Sequence, residues 1–196
     1  MWYSAGMRWG TAPLLLAIAG AIGGALDAGL SQLTMGSYGD EAVWCASIGG
    51  GIGLGIGAAL CIPGRPRWGL LASPLLGATG YMMSMSLMFF LGKSRAFPTW
   101  GEMITDPFAL NLAAPAAFIL AVAHRLYLRR WSAGKPPWQG LPLYAALGAL
   151  SGLWFWIRFE HPWGGLLNGA LYGLVQHAGM TCVRSLDRWR VADPPA

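Results

Sequence analysis

Residues 45–61 read CASIGGGIGLGIGAALC and contain a match to G-x-G-x-x-A at Gly53, Gly55 and Ala58. After a strand, that spacing cradles a pyrophosphate at the start of a helix. Here no strand is predicted before it, no Asp or Glu follows about 20 residues later, and no Gly-Lys-Ser/Thr is present. A helix explains the stretch better. At about 100° per residue, Gly49, Gly53 and Gly57 fall in one column, and Gly51 and Gly55, with Ala59, fall in another nearly opposite. A helix that is smooth on two sides suits a place between two neighbours, where close backbone approach supplies the attraction that lipid does not.

Composition sets the solvent for such a helix. Of 196 residues, 55% are hydrophobic and only 11% charged, too few for the charged shell of a soluble domain of this length. The charges gather in short clusters between apolar runs. Measured against about 20 residues per membrane crossing, those runs predict six spans, near 12–30, 43–63, 68–91, 108–128, 141–157 and 163–183. Segments such as Gly64-Arg65-Pro66-Arg67 and Ser132-Ala133-Gly134-Lys135-Pro136-Pro137 separate them. The expected fold is an all-α integral membrane protein, a compact bundle of about six transmembrane helices in a single domain over 1–196.

Orientation follows from the basic residues near the span ends. Arg8, Arg65, Arg67, Arg125, Arg129, Arg130, Lys135, Arg184, Arg188 and Arg190 fall on the side of both termini, against Lys93, Arg95 and Arg158 on the other. Both termini are therefore expected in the cytoplasm, in the inner membrane. The net charge of +5 is positive-inside bias and attraction to anionic lipid, not a nucleic-acid surface. Arg8, the apolar run from Pro13 and the small residues Ala17, Ala19 and Ala21 imitate a signal peptide, but the apolar core before those alanines is short, and the run is read as a retained first span. Cys45, Cys61 and Cys182 are odd in number and have no metal spacing, so no zinc site is expected.

The small-xxx-small pattern recurs. Gly20, Gly24 and Ala28 form a column in the first span, as do Ala17, Ala21, Ala25 and Gly29; the fifth span has Gly148 and Gly152, and the sixth has Gly165, Gly169 and Gly173. Most tryptophans fall at span ends and read as an interfacial belt. Met82, Met83, Met85 and Met88 read as adaptable packing.

Polar residues inside apolar runs are the functional leads. Asp27 lies in the outer part of the first span and Arg158 ends the fifth, so they either form an ion pair or, with Glu160 and His161, line an outer vestibule for a cation or polar solute. His177 continues the Gly165–Gly169–Gly173 column into the bundle, with Gln176 beside it and Asn168 about two turns earlier. His124 sits at a depth comparable to His177, a pair that could ligate a b-type haem if the glycines made room, although a histidine bonded to a carbonyl or amide is the commoner arrangement. No cofactor is otherwise called for. HExxH and GxSxG are absent, and three histidines with one intramembrane acid give few ways to build a general acid and base, which argues against an enzyme. Two stretches outside the spans, Pro98 to Ile104 and Leu186 to Arg190, are amphipathic enough to lie on a membrane surface.

Two readings remain. The first is a transporter or channel, or the membrane component of a transport assembly, using the polar residues above on a small solute or ion. The second is a non-catalytic subunit whose glycine faces dock on copies of itself or on other membrane proteins. In size, in six spans with both ends inside, and in the spacing of Ala17, Ala21 and Ala25, the chain resembles the substrate-binding subunits of energy-coupling-factor vitamin transporters. That resemblance implies that these alanines face a transmembrane coupling partner. It extends to architecture and spacing only and carries over no ligand motif.

Overall fold

The structure, a computed structural model, describes residues 11–35, 42–62, 66–91, 109–130, 136–157 and 162–192. Six long α-helices account for nearly all of them: α1 (Thr11–Met35), α2 (Ala42–Cys61), α3 (Pro66–Leu91), α4 (Ala114–Arg130), α5 (Leu141–Trp156) and α6 (Pro162–Ala192). A π-helical turn, Ala109–Ala113, leads into α4, and a 3-10 turn, Pro137–Gly140, leads into α5. No strand occurs among the described residues.

Prolines stand where a helix can tolerate them. Pro66 and Pro162 open α3 and α6, and Pro142 lies in the first turn of α5, positions whose N–H would have no helical partner. Pro74 is the exception, inside α3. It cannot donate to the carbonyl of Leu70 four residues back, and the Ser73 hydroxyl donates to that carbonyl instead, at 2.7 Å. Other hydroxyls are likewise turned onto their own helices: Thr79 onto Leu75, Ser86 onto Met82, Ser151 onto Gly148 and Thr181 onto His177. Each presents carbon, rather than a bare O–H, to its surroundings.

Sequential helices pack antiparallel, and α6 returns to pack against α1. α2 is enclosed most tightly. A Cβ at Gly49, Gly53 or Gly57 would strike the backbone of Gly20, Leu16 or Pro13 on α1, and a Cβ at Gly51 or Gly55 would strike the carbonyl of Gly80 or Leu76 on α3. The same backbone-to-backbone approach joins α5 to α6, where Gly148 meets Gly169 and Gly173, and Gly152 meets Gly165 and Gly169. Ala17 and Ala21 lie beside Gly50 of α2, whereas Gly29, further along α1, has no atom within 4 Å of a built Cβ.

The outside is apolar and much of the inside is polar, the reverse of a soluble protein. Leu14, Ile18, Ile22 and Leu26 form an exposed stripe on α1, and Leu71 and Leu75 on α3, Phe118 and Leu126 on α4, Leu150 and Trp154 on α5, and Trp163 and Leu167 on α6 are exposed too. Buried at the same time are Ser73, His124, Arg125, Ser151, Asn168, Gln176 and His177. Three helical stretches, Thr11–Leu30, Ala42–Cys61 and Ala109–Arg129, are long and apolar enough to cross a membrane. At 16 residues α5 rises only about 24 Å, short of a hydrocarbon core of about 30 Å. α6 is long enough but is diluted by Asn168, Gln176, His177 and Thr181, all of which are at least partly shielded by protein.

Candidate functional site

α6 carries two adjacent four-residue columns with different chemistry. Gly165, Gly169 and Gly173, continued by His177, face α5. Asn168, Tyr172 and Gln176, continued by Met180 and Arg184, face the interior shared with α1, α2 and α4. Glycines on α1 make room for the second column: a Cβ at Gly20 would lie 3.1 Å from the Tyr172 hydroxyl, and one at Gly23 would lie 2.9 Å from its ring.

Tyr172 donates its O–H to the carbonyl of Gly49 on α2, at 2.7 Å. One turn further along, the Gln176 amide donates to the carbonyl of Leu16 on α1 and to the Tyr172 oxygen, both at 3.3 Å. These bonds fix the amide, since the reverse orientation would set its oxygen against the Leu16 carbonyl. The Gln176 oxygen, Oε1, is thereby left without a hydrogen-bond partner among the described residues, although the side chain is fully buried.

The same amide lies beside the imidazole of His124 on α4. His124 Nδ1 is bonded to the Tyr144 hydroxyl of α5 at 2.5 Å, and its Nε2 is a second buried atom without a partner. The Tyr144 ring stands edge-on to both histidines, with centroids 5.2 Å from His124 and 4.9 Å from His177. Tyr127 closes the cluster at 5.2 Å from His177, and the Arg184 guanidinium lies over the Tyr127 ring at 4.9 Å. His177 Nε2 is bonded to the Pro137 carbonyl at 2.9 Å. Gly140, in the same 3-10 turn, has to be glycine for the turn to seat, because a Cβ there would lie 2.6 Å from Tyr127 and 2.8 Å from His177 Nε2.

Asp27 lies on α1 beyond Gly23 and Gly24, at the opposite end from Arg184. The antiparallel register of α1 and α6, which pairs Leu16 with Gln176 and Gly20 with Tyr172, brings it level with Asn168. Its Oδ1 is a third shielded atom without a hydrogen bond, and its charge reaches Tyr172. Arg125, by contrast, lies over Gly69 near the last turn of α2. With Arg184 on Tyr127 and Arg67 and Arg129 exposed nearby, the described cations gather at one end of the packed helices.

Of the residues singled out from the sequence, Gln176 and His177 are thus brought together with His124 in one cluster, and Asn168 and Asp27 lie along the same seam. Arg158, Glu160 and His161 lie outside the described residues, and so does any pairing of Arg158 with Asp27. His124 is fully buried and does not mark a surface. The geometry lends the haem reading no support: an iron between the histidines needs both Nε2 atoms, but His177 Nε2 is committed to Pro137 and the Tyr144 ring stands against both imidazoles.

Sequence reasoning passed over Tyr172, Tyr144 and Tyr127. The first two had a usable signal, since Tyr172 sits midway between Asn168 and Gln176 at four-residue spacing and Tyr144 continues the Gly148–Gly152 column. Compared with protein-family models, curated proteins and solved structures, the chain has no match. The functional reading rests on the site itself.

Proposed function

We propose that this chain is a six-span protein of the cytoplasmic membrane, with both termini inside, that binds or passes a small polar solute or ion along the interior column of α6. One observation carries the reading: Gln176 and His124 are fully buried on facing helices, and each keeps a polar atom with no hydrogen-bond partner. Structural polar residues in apolar surroundings are normally satisfied, because an unsatisfied group there is costly. Unsatisfied atoms along one seam suit a place where something binds in passing. The apolar exterior supports the membrane placement, and the cations gathered where α2 ends and α3 begins support an inward orientation for that end.

Uptake by proteoliposomes containing the purified full chain, assayed with small cations, amino acids and sugars, tests the proposal. Uptake that is lost in Gln176→Leu and His124→Phe, both still folded, is the expected result. No uptake of any of them, together with a stable co-purifying membrane partner, would favour the docking subunit. That second reading loses part of its basis in the packing, because the glycine columns of α2, α5 and α6 meet helices of this same chain.

A further inference from the structure

Building on the transport reading of the seam, we infer that its solute is a small monovalent cation, held at one station by Asp27 and at a second by Gln176 and His124. The hydrogen-bonding capacity of the seam points this way. Its donors are already committed to protein carbonyls: the Tyr172 O–H to Gly49, the Gln176 amide to Leu16, and the His177 ring at Nε2 to Pro137. Two of the atoms left over, Asp27 Oδ1 and Gln176 Oε1, are oxygens that can only accept while Asp27 is ionised. His124 Nε2 joins them as an acceptor when Nδ1 carries the proton and donates it to the Tyr144 oxygen.

Such a set selects by charge and by donor count. An anion would meet the Asp27 carboxylate and find no free donor. A sugar or an amide offers acceptors as well as donors, and its acceptors would stay unpaired. A cation, or a species that only donates, matches what is left. Size and valence follow from the same residues. The Tyr172 ring fills the space that Gly20 and Gly23 leave between the two stations, so only a small species passes on a modest movement of that ring. One carboxylate with neutral oxygen and nitrogen ligands suits a single positive charge, whereas divalent cations ordinarily recruit further carboxylates or keep several waters. The stations lie about 16 Å apart along α1, from Asp27 to the level of Leu16. The described arginines stand at the far end from Asp27, where they do not neutralise it.

The test uses the full chain in proteoliposomes with four probes: Na+, K+, NH4+, and H+ followed by a trapped pH dye in choline medium. Flux of at least one of them is expected, with the four arms separating proton, alkali metal and ammonium. Asp27→Asn should lower that flux at least about tenfold, the equivalent of about 1.4 kcal/mol, while its melting profile in detergent stays close to that of the parent. Gln176→Leu should lower it as well. Uptake of a neutral or anionic solute that Asp27→Asn leaves unchanged would overturn the cation inference and spare the transport reading. Absence of any flux would overturn both. Recovery of flux in the double variant Asp27→Asn/Arg158→Gln would also overturn the inference, because it would make Asp27 the ion-pair partner of Arg158 and not a binding station.

Discussion

Two kinds of seam hold these helices together. Where α2 meets α1 and α3, and where α5 meets α6, glycine faces backbone, and the space between the chains is too small for one methyl group. Where α6 meets α1, α2 and α4, tyrosine, glutamine and histidine reach across to carbonyls and to one another. A glycine seam has no second arrangement of similar energy, because sliding it sets Cβ atoms and backbone in collision. A polar seam does have one, since a side-chain donor can release one carbonyl and take a water, an ion or another carbonyl. The first kind sets the shape of the protein and the second is where it can respond. Substitutions should therefore separate the two, with stability lost at the first and function at the second.

The largest loss of stability is expected at Gly53→Leu. Its side chain would have to enter the backbone of Leu16 and Ala17, neither of which can turn aside as a side chain can. A loss of at least about 3 kcal/mol is expected, read as a lowered midpoint of unfolding in detergent. Gly148→Leu should do the same between α5 and α6. If either variant folds normally, the glycine seams are looser than described and the contrast fails.

Gly140→Ala comes next, at about 1 to 2 kcal/mol. One methyl group there meets the Tyr127 ring and His177 Nε2, and a flat ring can shift by a few tenths of an ångström where a backbone cannot. The same displacement should weaken the His177 bond to Pro137. A change in the imidazole nitrogen shifts of His177, measured by NMR, would register it.

Gln176→Leu should cost about 1 kcal/mol or less, since interhelical hydrogen bonds of side chains in membranes average about 0.6 kcal/mol and the substitution also removes an unsatisfied oxygen. Its effect on flux should be large. A variant that melts like the parent but no longer transports is the sharpest form of the contrast. A variant that melts far lower would assign Gln176 to the architecture instead.

What could be read in the sequence divides along the same line. Apolar runs and their interruptions locate helices, because length and composition are local properties. The turn of a helix likewise assigns Gly49, Gly53 and Gly57 to one face of α2 without any knowledge of what that face meets. Partners across a seam are not local. Nothing near His124 in the chain announces that Tyr144 will bond to its Nδ1, and nothing near Gln176 announces the Leu16 carbonyl, 160 residues away. Asn168, Gln176 and His177 stood out because polar residues in an apolar run are conspicuous. Tyr172 and Tyr144 did not, because tyrosine is ordinary in such a run and its hydroxyl shows its role only when the acceptor is in view.

The smallest effect is expected at Gly29, and it bears on the docking alternative. Gly29 lies on α1 with Gly20 and Gly24, yet a Cβ built there meets no atom within 4 Å. Gly29→Ala should therefore be neutral or stabilising by no more than about 1 kcal/mol, the difference in helix propensity. Gly29→Leu should be equally harmless to a protein that works alone. Gly29 continues the column of Ala17, Ala21 and Ala25, and in this structure Ala17 and Ala21 already lie beside Gly50. Only the far end of that column is open to a partner. If Gly29→Leu leaves the melting profile unchanged but dissociates an oligomer or a co-purifying subunit, seen as a shift in native mass, then α1 carries a glycine seam to another chain, and the rigid half of the contrast extends beyond this molecule.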